Sequence, residues 1–205
     1  MGTHESLFRE NFVKLANSLP YHEWVPNPNI VWKVARQAGA NKASTASGKP
    51  DGYVLRMGQH YDVELKASGL NGLYDMGDPT LPDDNSDGPG WRQNQRKYYR
   101  EHNLKTHTPY FIGIVMWGRG KAYSPWGRYV IMSADMYLDL EKWIFSNTGL
   151  RVLAYDWESG VGSRKPYCLE EYLKIRKDWY QQVKFSEMIW QNGGLKFPNN
   201  LSVFI

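Results

Sequence analysis

The chain has 205 residues, enough for one domain with a sizeable core, and its 25 Lys and Arg against 21 Asp and Glu give a formal net charge of +4. That mild excess suits contact with a polyanion and excludes a heavily basic, histone-like binder. Cys168 is the one cysteine, which excludes an internal disulfide framework and any Cys-rich zinc or iron–sulfur site.

In chain order, Phe8, Phe12, Leu15 and Leu19 recur at helical spacing, so His4 to Ser18 is a predicted helix with one apolar face. Pro20, Pro26 and Pro28 mark residues 20–30 as a connector. Val31 to Arg36 follows as a short strand and Ala38 to Gly48 as a small-residue loop. Asp51 to Met57 reads as a strand, Gly58-Gln59 as a turn and His60 to Ala67 as a second strand. That hairpin brings Asp51 back towards Glu64. Gly69 to Gly90 is a long loop with Asp75, Asp78, Asp83, Asp84 and Asp87 and no Lys or Arg. Loops of that length are commonly functional, so a moving gate or a dimer contact is expected, with a plain solvated insertion as the alternative.

Trp91 to His102 is a basic, aromatic helix, and Pro109 to Trp117 is a continuous apolar run suited to a strand covered on both faces. Gly118 to Arg128 mixes Gly, aromatic and basic residues in a loop, and Tyr129 to Met132 is the returning strand. Ser133 caps a helix to about Asn147, with Met136, Leu140, Trp143 and Ile144 on its apolar face. Arg151 to Trp157 is a further strand. Leu169 to Val183 is a helix within a helical extension that starts near residue 160, and Leu201 to Ile205 can add an edge strand or a dimer contact. The expected architecture is a single α/β domain, residues 1–205, with a central mixed β-sheet flanked by helices.

The chemistry concentrates between Gly48 and Ser68. Asp62, Glu64 and Lys66 alternate with Tyr61, Val63 and Leu65, so the three charges share one strand face. Ionised groups on a covered strand need partners, and Mg²⁺ is such a partner: it takes one or two carboxylates, waters and substrate phosphate. Asp51 and Glu64 supply the carboxylates, and Lys66 stands beside the attacking water or the phosphate as a point charge. A solvated edge strand carrying an ion pair is the plainer alternative.

Pro50-Asp51 followed by Glu64-Leu65-Lys66 resembles the signature of the PD-(D/E)XK nuclease superfamily. The resemblance covers residues 48 to 68 and implies a restriction-endonuclease-like fold, dependence on Mg²⁺ with Mn²⁺ as substitute, Asp51 and Glu64 as metal ligands, and Lys66 as the catalytic lysine. Several branches carry a Gln on the helix after the lysine strand; Gln95 fits that position and Gln93 competes for it. Members often place a Glu on the first helix, where Glu5 fits as a further metal ligand and Glu10 is the alternative. The implied activity is DNA endonuclease cleavage, by a junction-resolving or genome-processing enzyme of a phage or bacterium. A type II restriction or homing endonuclease is the second reading, and a catalytically silent DNA-binding module the third. The partner is duplex or branched DNA, with Arg92, Arg96, Lys97, Arg119 and Lys121 as candidate contacts, and a homodimer is expected because two strands must be cut.

Other chemistries lack their residues. No Walker-type phosphate loop, His-Glu-x-x-His motif or nucleophile elbow is present. His60 lies near the charged strand and reads as a turn residue. No apolar run spans a membrane and no signal peptide opens the chain, so the cytoplasm of a bacterial or phage-infected cell is the expected compartment.

Overall fold

The computed structural model describes residues 13, 22–26, 48–56, 59–67, 73–78, 80, 90–117, 127–154, 172, 174–175, 185–191 and 194–196. The expected segments Val31 to Arg36 and Leu201 to Ile205 lie outside the described residues, as does all of the His4 to Ser18 helix except Val13, which is helical. Of the predicted Leu169 to Val183 helix, Tyr172, Lys174 and Ile175 are described, and they are helical.

Apolar–charged alternation makes Gln59–Ala67 a strand, β3, paired antiparallel with β2, Gly52–Arg56. A further strand, β1, His22–Pro26, pairs antiparallel with β2 at the end of the sheet. The three prolines of residues 20–30 suggested a connector, and the structure corrects this. Pro26 closes the strand opposite Gly52, on an edge strand, where proline is tolerated.

Tyr110–Trp117 forms β5, parallel to β3, with Glu64 opposite Ile112 and Lys66 opposite Ile114. Gly127–Ser133, β6, returns antiparallel to it. Phe185–Gln191, β8, and Gly194–Lys196, β9, continue the antiparallel pairing. Among the described residues the result is a seven-stranded mixed sheet in the order β1-β2-β3-β5-β6-β8-β9, and with the helices this is an α/β fold.

The acidic segment is not loop throughout. Leu73–Asp75 is a strand, β4, paired antiparallel with β7, Val152–Ala154, in a separate two-stranded sheet. Tyr74 and Met76 are buried while Asp75 is exposed, so alternation operates inside the aspartate-rich stretch.

Two helical regions cover one face of the large sheet. The first is α1, Gln93–Tyr98, which passes through a π-helical turn, Tyr99–Asn103, into the short α2, Leu104–Thr106. The second is α3, Ala134–Thr148. Ser133 Oγ accepts the Met136 N–H at its start, and Gly149, at φ 69°, ends it by donating its N–H to the Phe145 carbonyl. Met136, Leu140 and Ile144 of α3 pack with Ile112, Ile114, Val130 and Met132 from the strands below. Tyr61, Val63, Leu65, Phe111 and Ile131, on the opposite face, are buried as well. Among the described residues, no helix is long and apolar enough to cross a membrane.

Arg96, on α1, is a core residue at 2% exposure and not a DNA contact, which corrects the sequence expectation. Its guanidinium forks onto Glu141 of α3 at 2.9 and 2.7 Å and donates to the Trp91 and Met76 carbonyls at 2.6 and 2.9 Å. It lies over the Trp91 ring at 5.1 Å. With α1, α3 and the strand-end residue Met76 all fastened to it, no face of the group is left for a phosphate. Breaking a buried pair leaves a stranded charge. Arg96→Met is expected to cost about 3–5 kcal/mol in denaturant unfolding, with the Arg96→Met/Glu141→Met double variant recovering most of the loss. Burial, opposed by Arg96, raises the Glu141 carboxyl above its ordinary range. The folded state therefore binds the extra proton, and stability falls as pH rises through the window above the usual glutamate range. Glu141→Gln should remove that downward component from a stability–pH profile.

Candidate active site on the β2–β3 hairpin

Three segments converge on the charged face of β3. Asp51 stands one residue before β2, just beyond the last ladder pair of Gly52 and Val63. Side chains make the next pair of bonds. The Asp51 N–H donates to Glu64 Oε2 at 3.0 Å, and the Leu65 N–H donates to Asp51 Oδ2 at 2.8 Å. Each carboxylate satisfies the backbone of the other segment, which holds the two acids side by side at 6% and 2% exposure.

Lys66, two residues along the same face, places Nζ 2.6 Å from Glu64 Oε1. Gln95 completes the cluster from α1. Its Nε2 donates to Glu64 Oε1 at 2.6 Å, and its Oε1 accepts from Lys66 Nζ at 3.0 Å and from the Arg92 N–H at 3.1 Å. Two donors on one end of the amide and a carboxylate on the other leave it a single orientation. A Gln at the third helical position reaching back to the N-cap N–H is half of a capping box. The same side chain therefore starts the helix and braces the site.

Gly48 lets the chain approach. Its φ is 62°, and a Cβ there would stand 2.2 Å from the Asn94 carbonyl oxygen at the start of α1. The segment leading to Asp51 is thereby pressed against the helix that carries Gln95.

The π turn sets which residues of the helical region face β3. Eight α-helical steps from Gln95 to Asn103 would rotate the side chain about 80° off the Gln95 direction. A π turn acts as a one-residue insertion, which reduces the offset to about 20°. Both amides then reach β3: Asn103 Nδ2 donates to Asp62 Oδ2 at 2.7 Å.

The formal charges of Asp51, Glu64 and Lys66 sum to −1, and Tyr110 registers the sign of the local field. Burial first, and then the Glu64 charge, push its phenol well above the ordinary range, with Asp62 and Asp51 adding to the effect. Two adjacent buried carboxylates in a negative field are the oxygen set that Mg²⁺ takes alongside waters and a phosphate. By donor chemistry alone Asp51 and Glu64 are ligands of the type such an ion takes, with Glu64 also accepting from Lys66 and Gln95. The Lys66 ammonium, resting on Glu64 Oε1, lies where a cation is favoured. Among the described residues, no group of three or more His, Cys, Asp or Glu is arranged to share an ion.

Of the residues singled out from sequence, Asp51, Glu64, Lys66 and Gln95 are brought together. Gln93 is buried with its amide donating to the Asp78 carbonyl, away from the cluster. Arg92 is half-buried at the helix start and Lys97 is exposed on α1. Glu5, Glu10, Arg119 and Lys121 lie outside the described residues. The partnership of Asn103 with Asp62 was missed, because α-helical periodicity places residue 103 on a different face from residue 95.

A methyl group at Gly48 meets backbone as well as an unfavourable φ. Gly149, at φ 69°, has open space around it. Gly149→Ala is expected to cost about 1 kcal/mol in thermal or denaturant unfolding, and Gly48→Ala distinctly more. Equal losses would mean that the Gly48–Asn94 contact yields easily. Comparison with protein-family models, with curated proteins and with solved structures finds no match, so the meaning of this site is carried by its own geometry.

Proposed function

We propose that this chain is a Mg²⁺-dependent DNA endonuclease with a site of the PD-(D/E)XK kind. The observation that carries the reading is the convergence of Asp51, Glu64, Lys66 and Gln95, from three separate segments, into one hydrogen-bonded cluster. A hairpin bearing the acids, a helix bearing the Gln and a parallel strand after it support a restriction-endonuclease-like arrangement.

Asp51 and Glu64 hold the ion, which supplies Lewis-acid polarisation of the phosphate and a water of lowered pKa at neutral pH. The protein's own groups do the rest. Lys66, 12% exposed at its side chain, is reachable from solvent and carries positive charge to the scissile phosphate. There it orients the attacking water and offsets charge that develops on the phosphoryl oxygens. Gln95 holds Lys66 and Glu64 at fixed separation, so little reorganisation is needed as charge builds. Lys97, exposed on α1, and Arg92, half-buried at its N-cap, remain the candidates for positioning the DNA backbone. The Gln-bearing helix favours a junction-resolving or genome-processing enzyme of a bacterium or phage, working as a homodimer because both strands must be cut.

Incubation of a four-way junction and its component duplexes with Mg²⁺ or Ca²⁺ tests this. Wild type should cut the junction selectively and only with Mg²⁺ (or Mn²⁺). Asp51→Ala and Lys66→Ala should each lower the rate by at least about 10³-fold while retaining binding in Ca²⁺. Gln95→Ala should cost less, about 10–100-fold. Cutting of linear duplex at one sequence would assign the restriction or homing class. Binding without cutting of either DNA, or of a plasmid library, would refute catalysis.

A further inference from the structure

The charged face of β3 extends beyond Glu64. Asp62 lies two residues before it and His60 two before that, so all three project to one side. Asp62 is 3% exposed. His60 Nε2 meets Asp62 Oδ1 at 2.7 Å, while Asn103 Nδ2 donates to Asp62 Oδ2 at 2.7 Å. Asn103 is oriented in turn by the Thr108 carbonyl, which accepts from the same nitrogen at 3.2 Å. Tyr53, opposite Asp62 in β2, stacks on the imidazole with ring centroids 4.2 Å apart. A chain of fixed groups thus ends in a ring whose side chain is 46% exposed. A solvated turn histidine needs no such support, and burying Asp62 behind it carries a desolvation cost. The arrangement holds an imidazole in one place at the surface.

From His60 to Glu64 the strand runs about 13 Å. That separation keeps His60 clear of the proposed scissile bond at Glu64 and Lys66. We propose that His60, held by Asp62 and Asn103 and backed by Tyr53, binds a backbone phosphate of the DNA flanking the scissile one. The inference rests on the nuclease reading. A protonated imidazole has two N–H donors. Asp62 takes Nε2–H, and Nδ1–H serves the phosphate. Asp62 and Asn103 are positioning residues, and Tyr53 limits the ring's rotation.

Among the described residues, the titratable groups beside His60 are Asp62 on its own strand and Tyr53 on β2. From the helix side comes Tyr98, whose phenol is raised by burial and then by the Asp62 charge and which stacks on His102 at 5.0 Å.

The test is binding of the intact protein to labelled four-way junction and to duplex in Ca²⁺, across a salt series. His60→Gln is expected to weaken binding about tenfold and to reduce the slope of log affinity against log salt by about 0.9. His60→Arg should keep wild-type affinity and slope, which a merely structural role would not produce. In Mg²⁺, His60→Gln should raise KM and leave kcat within about twofold. Wild-type affinity and slope for His60→Gln, or a loss confined to kcat, would overturn the proposal. If Asp51→Ala still abolishes cutting in that case, the nuclease reading stands without it. Absence of any DNA binding by wild type would remove both.

Discussion

Burial of charge on β3 is the constraint that the rest of the site answers. Asp62 and Glu64 lie at 3% and 2% exposure on a strand whose other face is apolar core. Neither carboxylate can be ionised there unless hydrogen bonds and opposite charge replace water. The structure meets that demand from every direction. The backbone ahead of β2 donates to Glu64, an amide from each end of one helical region reaches a carboxylate, and Lys66 and His60 meet Glu64 and Asp62 along the same strand. The helix start, the hairpin closure and the glycine-permitted approach at Gly48 all follow from these requirements. A strand built only for packing would have used an apolar residue at position 64 and needed none of them.

Behind the site lies a different kind of polar burial. Arg96 and Glu141 tie the site helix to α3, and aromatic rings enclose the pair: Trp91 stands 5.4–5.5 Å from Tyr99, Tyr110 and Tyr137. Tyr137 donates its hydroxyl to the Met76 carbonyl, the same oxygen that Arg96 reaches. This block is buried and packed ring on ring, and it fixes where α1 begins. Gln95 inherits its position from that packing, in the manner of a site whose precision comes from its supporting shell.

Much of this was legible in the sequence. The β2–β3 hairpin, the apolar strand at 110–117 and the Ser133-capped helix all followed from period and turn chemistry, because each keeps a clear pattern over several residues. Of the clustered residues, Glu64 and Lys66 were legible because strand alternation fixes them to one face, and Asp51 because the hairpin returns it to Glu64, whereas Gln95 was singled out only through the family resemblance. Elements were lost where composition masked pattern. Prolines hid β1, aspartates hid the Tyr74 and Met76 alternation of β4, and the strand Phe185–Gln191 was passed over between a predicted helix and a glycine pair. Arg96 looked like a phosphate ligand because charge on a basic helix says nothing about which side packs. Its partner, Glu141, is 45 residues away. His60 was dismissed as a turn residue for the same reason: Asn103, which completes its support, comes from a distant segment.

The π turn at Tyr99–Asn103 has a mechanical consequence. Gln95 precedes the turn and Asn103 follows it, so the number of residues per turn is a shared setting for the two ends of the β3 face. Relaxing the turn to α geometry would leave the Gln95 amide in place and swing Asn103 sideways by about a quarter of a revolution, freeing Asp62 and with it the His60 ring. Helix winding thus acts as a gear between the bond-breaking end of the strand and its outer end. A residue deleted within that turn, far from either carboxylate in sequence, would disengage one end and not the other.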